Sequence, residues 1–515
     1  MHPRQVAAQH PDKAAVVMSG SGLVVSYAQL AERSNRAAQL LRALGLKAGD
    51  VIAICLDNQP SFFELCWAAH NAGLYFTPVS SRLKAIEIAY IVADCEARAL
   101  FIAASLGSVL ADLLPQLQPN CRRFVVGGSA PSYESYDDAL LIMPNQPVDE
   151  DRQGVAMMYS SGTTGRPKGI KPPLPLEPVE ALAALPLKLR ELYGFSSATV
   201  FLSPAPLYHA APLKFCLAVQ ANGGTTVIME KFDAEQALAA IEKYRVTHSQ
   251  WVPTMFIRML KLPAESRQRF DLTSHGLAIH AAAPCPVPIK DQMLNWWGPI
   301  IHEYYSGSES IGMTAITPQE WLQRRGSVGR AVRGVLHILD GEGKEVPAGT
   351  TGLVYFESPT VLRYHRDPDK TARAYSASGW ATIGDIGYVD SEGYLYLTDR
   401  RDYVIISGGV NIYPQEAENL LEAHPKVADV AVFGVPNTEF GEEVKAVVVA
   451  QHSAEAGPAL ERALIDYCRA HLSNIKCPKS IDFVAALPRE PTGKLLKKPL
   501  RQRYWDQFNA EISRP

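Results

Sequence analysis

Tyr159-Ser160-Ser161-Gly162-Thr163-Thr164-Gly165-Arg166-Pro167-Lys168-Gly169 gathers backbone freedom, hydroxyls and positive charge into one short loop. Gly162, Gly165 and Gly169 let the backbone bend until its N–H groups point at an anion. The Ser and Thr hydroxyls add donors, and Arg166 and Lys168 add charge. This composition predicts a phosphate-holding loop. It differs from the common P-loop, which needs four residues between its glycines and then Gly-Lys-Ser/Thr; here only Thr163 and Thr164 separate Gly162 from Gly165, and Gly169 follows Lys168. Residues 154–159 read as a buried strand, so the loop leaves a strand end, where open α/β sheets seat their ligands.

A chain of 515 residues suits two or more domains. The formal net charge is -3 and no Lys/Arg-rich run stands out, so no nucleic-acid partner is expected. The start runs into polar sequence without a signal-peptide core, and no apolar stretch is long enough to span a bilayer. The chain therefore reads as cytoplasmic. Its 8 cysteines are scattered without a C-x-x-C pair, which predicts reduced, mostly buried thiols rather than a disulfide frame or a structural metal.

Alternating patterns mark the first part: a helix over 27–46, a strand over 51–56, a helix over 62–72 and a strand over 99–103. Alternation of this kind suggests parallel sheets. Strands at 200–202, 225–229 and 277–280 and a helix at 234–244 continue it. From 328 to 397, short strands and Gly/Pro turns suggest a mainly antiparallel subdomain. Beyond the charge cluster Asp399-Arg400-Arg401-Asp402 comes a compact α/β pattern, with helices at 414–423 and 460–470 and strands at 430–433, 444–449 and 481–484. The Pro-rich stretch 171–178 reads as a mobile exposed connection.

Four further stretches follow the glycine loop in order. His302-Glu303-Tyr304-Tyr305-Ser306-Gly307-Ser308-Glu309 offers rings, a small hydroxyl and a carboxylate able to stack a base, touch a phosphate and bind Mg²⁺. Asp385, ending Trp380-Ala381-Thr382-Ile383-Gly384-Asp385, suits ribose hydroxyls, and Arg400 is placed to reach the same sugar. Ser407-Gly408-Gly409-Val410 reads as a tight hairpin or a plain turn. Pro491-Thr492-Gly493-Lys494 places a lysine after a flexible turn; taken alone, its ordinary reading is a solvated cation.

Together these stretches resemble the adenylate-forming superfamily, most closely the fatty acyl or aryl CoA ligases. The resemblance spans nearly the whole chain, from His10-Pro11-Asp12-Lys13-Ala14 through Pro206-Leu207-Tyr208-His209, Val252-Pro253-Thr254 and Ala281-Ala282-Ala283-Pro284. It implies an α/β fold: a large N-terminal domain, 1–400, of two stacked α/β sheets plus a small β-barrel-like subdomain, and a small mobile C-terminal α+β domain, 401–515. It implies the substrates and cofactors ATP, Mg²⁺ and CoA, and a two-step reaction through an acyl-adenylate.

Carried onto this chain, Ser160, Ser161, Gly162, Thr163, Thr164, Gly165 and Lys168 are implied to hold the β- and γ-phosphates. Adenine is implied to lie on Ala282, Ala283 and Pro284 under the Tyr305 ring. Ser308 is assigned to the α-phosphate, Thr163 and Glu309 to Mg²⁺, and Asp385 and Arg400 to ribose. Lys494 is implied to stabilise the charge as carboxylate and α-phosphate join. Asp402 is the implied hinge, Gly408 and Gly409 line the path of the CoA arm, and His209 gates the acyl pocket or steers the thiol. Candidate pocket residues are Tyr208, His209, Phe215, Trp251, Ala282, Tyr304, Gly307 and Ile311, mostly apolar, which favours a hydrophobic acid. Two departures from the family pattern stand out: Ser306 replaces a usual Gly and is expected to narrow the adjoining pocket, and Ile383 replaces a usual Thr. A carrier-protein thiol as acceptor, a non-catalytic nucleotide-binding protein, and a homodimeric assembly stay open.

Overall fold

The runs Val51–Cys55 and Ala97–Ala103 are apolar along nearly their whole length, as parallel strands covered on both faces must be. In the computed structural model they form the centre of a six-stranded sheet ordered Glu134–Ser135, Arg122–Val126, Ala97–Ala103, Val51–Cys55, Tyr75–Pro78, Val155–Ala156, parallel throughout. The structure describes all residues except Met1, 150–151, 161–166, Pro359, 408–409, 490–494 and 513–515.

The chain divides into two compact units. The first comprises residues 1–251, 261–279 and 360–371. Besides the six-stranded sheet it holds a run of strands ordered His248–Trp251, Val200–Ser203, Thr225–Ile228, Ala14–Met18, Val24–Ser26, parallel except for the last pair. The helix Tyr27–Ala43 begins at a capping box: Ser26 Oγ accepts from the Gln29 amide, while the Gln29 side chain accepts from the Ser26 amide.

The second unit comprises 252–260, 280–359 and 372–515. Strands Ile301–Tyr305, Met313–Ile316 and Arg330–Arg333 pair antiparallel. The expected antiparallel region is a four-stranded sheet ordered Val335–Leu339, Gly352–Glu357, Asp385–Val389, Leu395–Arg400. Farther on, Val427–Asn437 and Gly441–Ala450 form a long hairpin, with Ser480–Phe483 parallel to the second strand and helices Pro414–Glu422 and Pro458–His471. A core of Ile405, Leu421, Val432, Ala446, Leu464 and Cys468 lies among them. The residue Asp402 lies inside this second unit.

One expectation is corrected. The stretch 171–178 is exposed at several positions, but it is tethered rather than mobile. Tyr75 Oη donates to the Pro172 carbonyl at 2.7 Å. The buried Gln153 amide donates to Pro178 O at 2.8 Å and Ala181 O at 2.9 Å, and His70 Nε2 lies 3.1 Å from Val179 O. All eight cysteines are free thiols, seven of them buried. Among the described residues no helix is long and apolar enough to cross a membrane.

Five histidines, three buried and two half-buried, give the fold a pH dependence. Burial lowers the pKa of His2, His70, His248 and His280, and brings His275 down to about 3. Each stays neutral in the fold but takes a proton near 6.5 once unfolded. Their contribution is therefore complete above that pH and declines as pH falls, by up to about 1.4 kcal/mol per unit for each group. The thermal midpoint is expected to drop by several degrees between pH 7.5 and pH 5; a flat profile would mean that these histidines charge freely inside the fold.

Candidate active site

In the first unit the glycine loop closes an antiparallel hairpin. Strands Met158–Ser160 and Lys168–Ile170 pair with Ser160 opposite Lys168 and Tyr159 opposite Gly169. Tyr159 Oη donates to Asp94 Oδ2 at 2.5 Å, and burial followed by that carboxylate keeps the phenol protonated. The segment after residue 363 runs along the hairpin: the His365 amide donates to Gly169 O at 2.7 Å, and Ile170 bridges Tyr364. It also delivers Asp367, whose Oδ2 lies 2.8 Å from Lys168 Nζ and raises the ammonium's pKa. Residues 161–166, with Ser161, Gly162, Thr163, Thr164 and Gly165, lie outside the described residues, as does the Ser160 side chain.

Four pocket candidates belong to this unit. His209 is the N-cap of the helix Ala210–Ala221, its ring centroid 4.6 Å from that of the buried Tyr208. Burial raises the Tyr208 phenol, while Ser80 and Arg82 pull it back, so a cation stands beside a pocket set that contains none. Phe215 packs among Tyr193, Phe195 and Phe201. Trp251 Nε1 donates to Ser249 Oγ at 2.5 Å.

In the second unit, Ala281–Pro284 follows the strand end at His280, with Ala282, Ala283 and Pro284 exposed and Ala282 at φ 78°. The turn between strands Ile301–Tyr305 and Met313–Ile316 carries Gly307, Ser308, Glu309 and Ile311. Ser306 Oγ donates to Gly312 O at 2.7 Å, so the departure from Gly closes the turn on itself. A Cβ on Gly307 would stand 2.8 Å from Ile383 Cδ1 and 2.9 Å from Glu309 Oε2, so a larger residue there must push both side-chain ends aside.

Asp385 draws three predicted residues together. Its Oδ2 accepts from Tyr305 Oη at 2.6 Å, and its Oδ1 lies 3.0 Å from Arg400 Nε. Asp385 and Arg400 face each other in the register of their two strands. Burial and then Asp385 raise the Tyr305 phenol well above its usual range, so it remains a donor; Asp385 keeps the guanidinium charged. The Glu309 charge acts on both. As a single carboxylate in this turn, Glu309 suits Mg²⁺, which takes one or two protein carboxylates and completes its shell with phosphate oxygens and water.

Residues 3–364 match the family described as AMP-binding enzyme, and residues 416–494 match AMP-binding enzyme C-terminal domain. The chain is an AMP-binding enzyme. Among its relatives, Fatty acid--[acyl-carrier-protein] ligase ScoC of Streptomyces coeruleorubidus is 32% identical, covering 98% of this chain and 96% of that protein. Long-chain-fatty-acid--CoA ligase FadD13 of Mycobacterium tuberculosis is 29% identical over 97% of each. The crystal structure of ATP-bound MatB from Rhodopseudomonas palustris superimposes with a TM-score of 0.83 at 27% identity, covering 99% of this chain and all of that one (100%). The AMP-binding enzyme thus belongs to the adenylate-forming superfamily, and the expected fold class holds.

After Asp402, strands Ile405–Ser407 and Val410–Ile412 of this AMP-binding enzyme pair with Ser407 opposite Val410. The connecting Gly408 and Gly409 lie outside the described residues, as do Lys494 and the side chain of Asp402. Close by, the buried Lys497 Nζ lies 2.8 Å from Glu418 Oε2, and Asp399 Oδ2 accepts from the Gln415 amide at 3.0 Å.

Sequence reasoning missed Asp367, the tyrosine partner of Asp385, and a buried ion pair in which Lys290 Nζ lies 2.5 Å from Glu303 Oε2. The last was detectable. Lys290 shares a helix face with the buried Met293 and Leu294, and Glu303 alternates with the inward-facing Ile301, so each chain segment puts a charge where only apolar residues should stand.

Gly307→Ala must displace both Ile383 and Glu309, an off-rotamer cost of about 1 kcal/mol. It is expected to lower kcat/KM roughly 3- to 10-fold, and Gly307→Ala/Ile383→Ala to recover most of that loss, measured by pyrophosphate release.

Proposed function

We propose that this enzyme activates a hydrophobic carboxylic acid, a fatty acid before an aryl acid, with ATP and transfers the acyl group to CoA. The observation that carries the reading is the Asp385 carboxylate shared by Tyr305 and Arg400, which sets a ring and two polar groups where a nucleoside needs them. In the first step a carboxylate oxygen attacks the α-phosphorus, forming the P–O bond of an acyl-adenylate as pyrophosphate departs. In the second, the CoA sulfur attacks the acyl carbon, forming a thioester as AMP departs.

Both reactants of the first step are anions, and at about 4 Å with an effective dielectric near 20 one unit-charge contact is worth roughly 4 kcal/mol. The loop from Ser160 to Lys168 holds the β- and γ-phosphates, with Lys168 exchanging its Asp367 contact for phosphate. Ala282, Ala283, Pro284 and Tyr305 hold adenine, Asp385 and Arg400 the ribose, and Ser308 the α-phosphate. Thr163 and Glu309 are the residues that would hold Mg²⁺, which when bound offsets phosphate charge. Lys494 stabilises the charge that builds between carboxylate and α-phosphate. Holding the reactants in line contributes another ~7 to 11 kcal/mol.

For the second step Lys494 withdraws. Rotation at Asp402, between an N-terminal domain of 1–400 and a C-terminal domain of 401–515, brings Gly408 and Gly409 to the CoA arm, with His209 at the acyl end. Tyr208, Phe215, Trp251, Tyr304, Gly307 and Ile311 bound the acyl pocket, and their apolar character supports a hydrophobic acid. The eight free thiols fit a reducing compartment such as the cytoplasm. A carrier protein is the second reading for the acceptor, supported by the ScoC relative.

Incubation with ATP, a panel of fatty and aryl acids, and either CoA or a holo carrier protein is expected to yield acyl-CoA, with fatty acids turned over fastest. Loading of the carrier with no acyl-CoA formed would overturn the CoA assignment. Lys494→Ala is expected to lose adenylation by a factor on the order of 10² or more while still making thioester from preformed acyl-adenylate and CoA. Asp402→Pro is expected to do the opposite, and equal loss of both half-reactions would remove the hinge.

A further inference from the structure

The loop 281–286 connects the strand Leu277–His280 to the helix Val287–Trp297, and both of its flanks end on one atom. His280 Nε2 stands 3.3 Å from Glu303 Oε2, and Lys290 Nζ stands 2.5 Å from the same oxygen. All three side chains are buried, and the Lys290 ammonium lies 4.6 Å from the centroid of the Trp321 ring. Glu303 itself lies two residues ahead of Tyr305 on the strand Ile301–Tyr305. Between the two flanks sits Ala282 at φ 78°, a left-handed conformation that is strained for a residue with a Cβ.

Two physical arguments converge on this cluster. A buried ion pair is a poor stabiliser, since an apolar pair of similar volume serves as well or better, so stability alone does not account for it. A strained residue persists only where its surroundings over-determine it, and such strain collects at ligand sites. The strained Ala282 is exposed, whereas His280 and Lys290, which flank its loop in the chain, are buried.

We propose that Glu303 is a positioning residue: by gripping Lys290, with the neutral His280 ring packed against the same oxygen, it closes the loop 281–286, sustains the left-handed Ala282 and shapes the surface on which adenine lies. This rests on the assignment of Ala282, Ala283 and Pro284 to adenine made above. Because the grip acts on the loop and on the strand that carries Tyr305, its larger effect falls on nucleotide affinity and a smaller one on the acid, whose proposed pocket shares Ala282 and Tyr304.

The test begins with Lys290→Met/Glu303→Gln, which removes both charges and leaves no lone buried ion; folding is verified by circular dichroism and thermal midpoint. Direct titration is expected to show ATP binding weakened at least tenfold, and kinetics a KM for ATP raised by a similar factor, with kcat and the KM for the acid within threefold of wild type. Adding Ala282→Gly, which adopts φ 78° without strain, is expected to bring ATP affinity back to within threefold of the Ala282→Gly single variant. A loss confined to thermal stability, or an affinity loss that glycine does not repair, overturns the proposal. Glu303→Gln alone is the second variant should the double one not fold, and wild-type ATP affinity in it overturns the proposal equally. Ala283→Trp keeps the grip and fills the adenine surface. If ATP still binds it, the adenine assignment fails; if it blocks ATP while the charge-free variant binds normally, the grip alone fails.

Discussion

Asp385 is buried with both carboxylate oxygens taken, one by the Tyr305 hydroxyl and one by the Arg400 guanidinium. A carboxylate out of water is tolerable only when paired and hydrogen-bonded, so the fold must bring these two partners to it. Arg400 arrives by strand register, and Tyr305 arrives as the last residue of a strand in a different sheet. Once the three are locked, the turn 306–312 that follows Tyr305 is fixed at its start. That turn carries Ser308 and Glu309. Groups held this firmly need no reorganisation when charge develops beside them, which is the condition for electrostatic catalysis.

The same economy of charge appears around the hairpin 158–170 and after Asp402. Lys168 is held by Asp367, and Lys497 by Glu418, with the Asp399 carboxylate bound to the start of the helix Pro414–Glu422. In each case a carboxylate that is not a near neighbour in sequence stands against a cation or a helix start. The carboxyls of Asp399 and Glu418 are both raised, chiefly by burial. The two residues that depart from the family pattern also have structural employment: Ser306 closes its own turn, and Ile383 fills the space against Gly307. Ser306 is thus spent on its own turn, whereas Ile383 is in contact range of the Gly307 position.

Most of the regular elements were legible because short-range patterns dictate them. The strands at Val200–Ser203, Thr225–Ile228 and Leu277–His280 and the helices at Pro414–Glu422 and Pro458–His471 fall within a few residues of the periodicity that announced them. The connection 171–178 was misread because its order comes from Tyr75, Gln153 and His70, whose donors reach it from far along the chain. Proline-rich composition speaks only to local backbone preference. The Lys290–Glu303 pair left a trace in the periodicity of each segment, but only the fold shows that the two misplaced charges meet each other.

By itself the amino-acid sequence determined the reaction class, because a glycine loop, an aromatic-hydroxyl-carboxylate turn, Asp385, Arg400 and Lys494 follow one another in an order that matches an adenylate-forming ligase. Order along a chain is enough for that, since each motif carries its own chemistry in a few adjacent residues. Tertiary structure decided which groups hold which: that Asp385 serves Tyr305 as well as Arg400, that Lys168 meets Asp367, and that one oxygen of Glu303 gathers both flanks of the strained loop at Ala282. Those partnerships join residues from 13 to 199 positions apart. Their energies depend on distance and on exclusion of water, neither of which exists until the chain has folded.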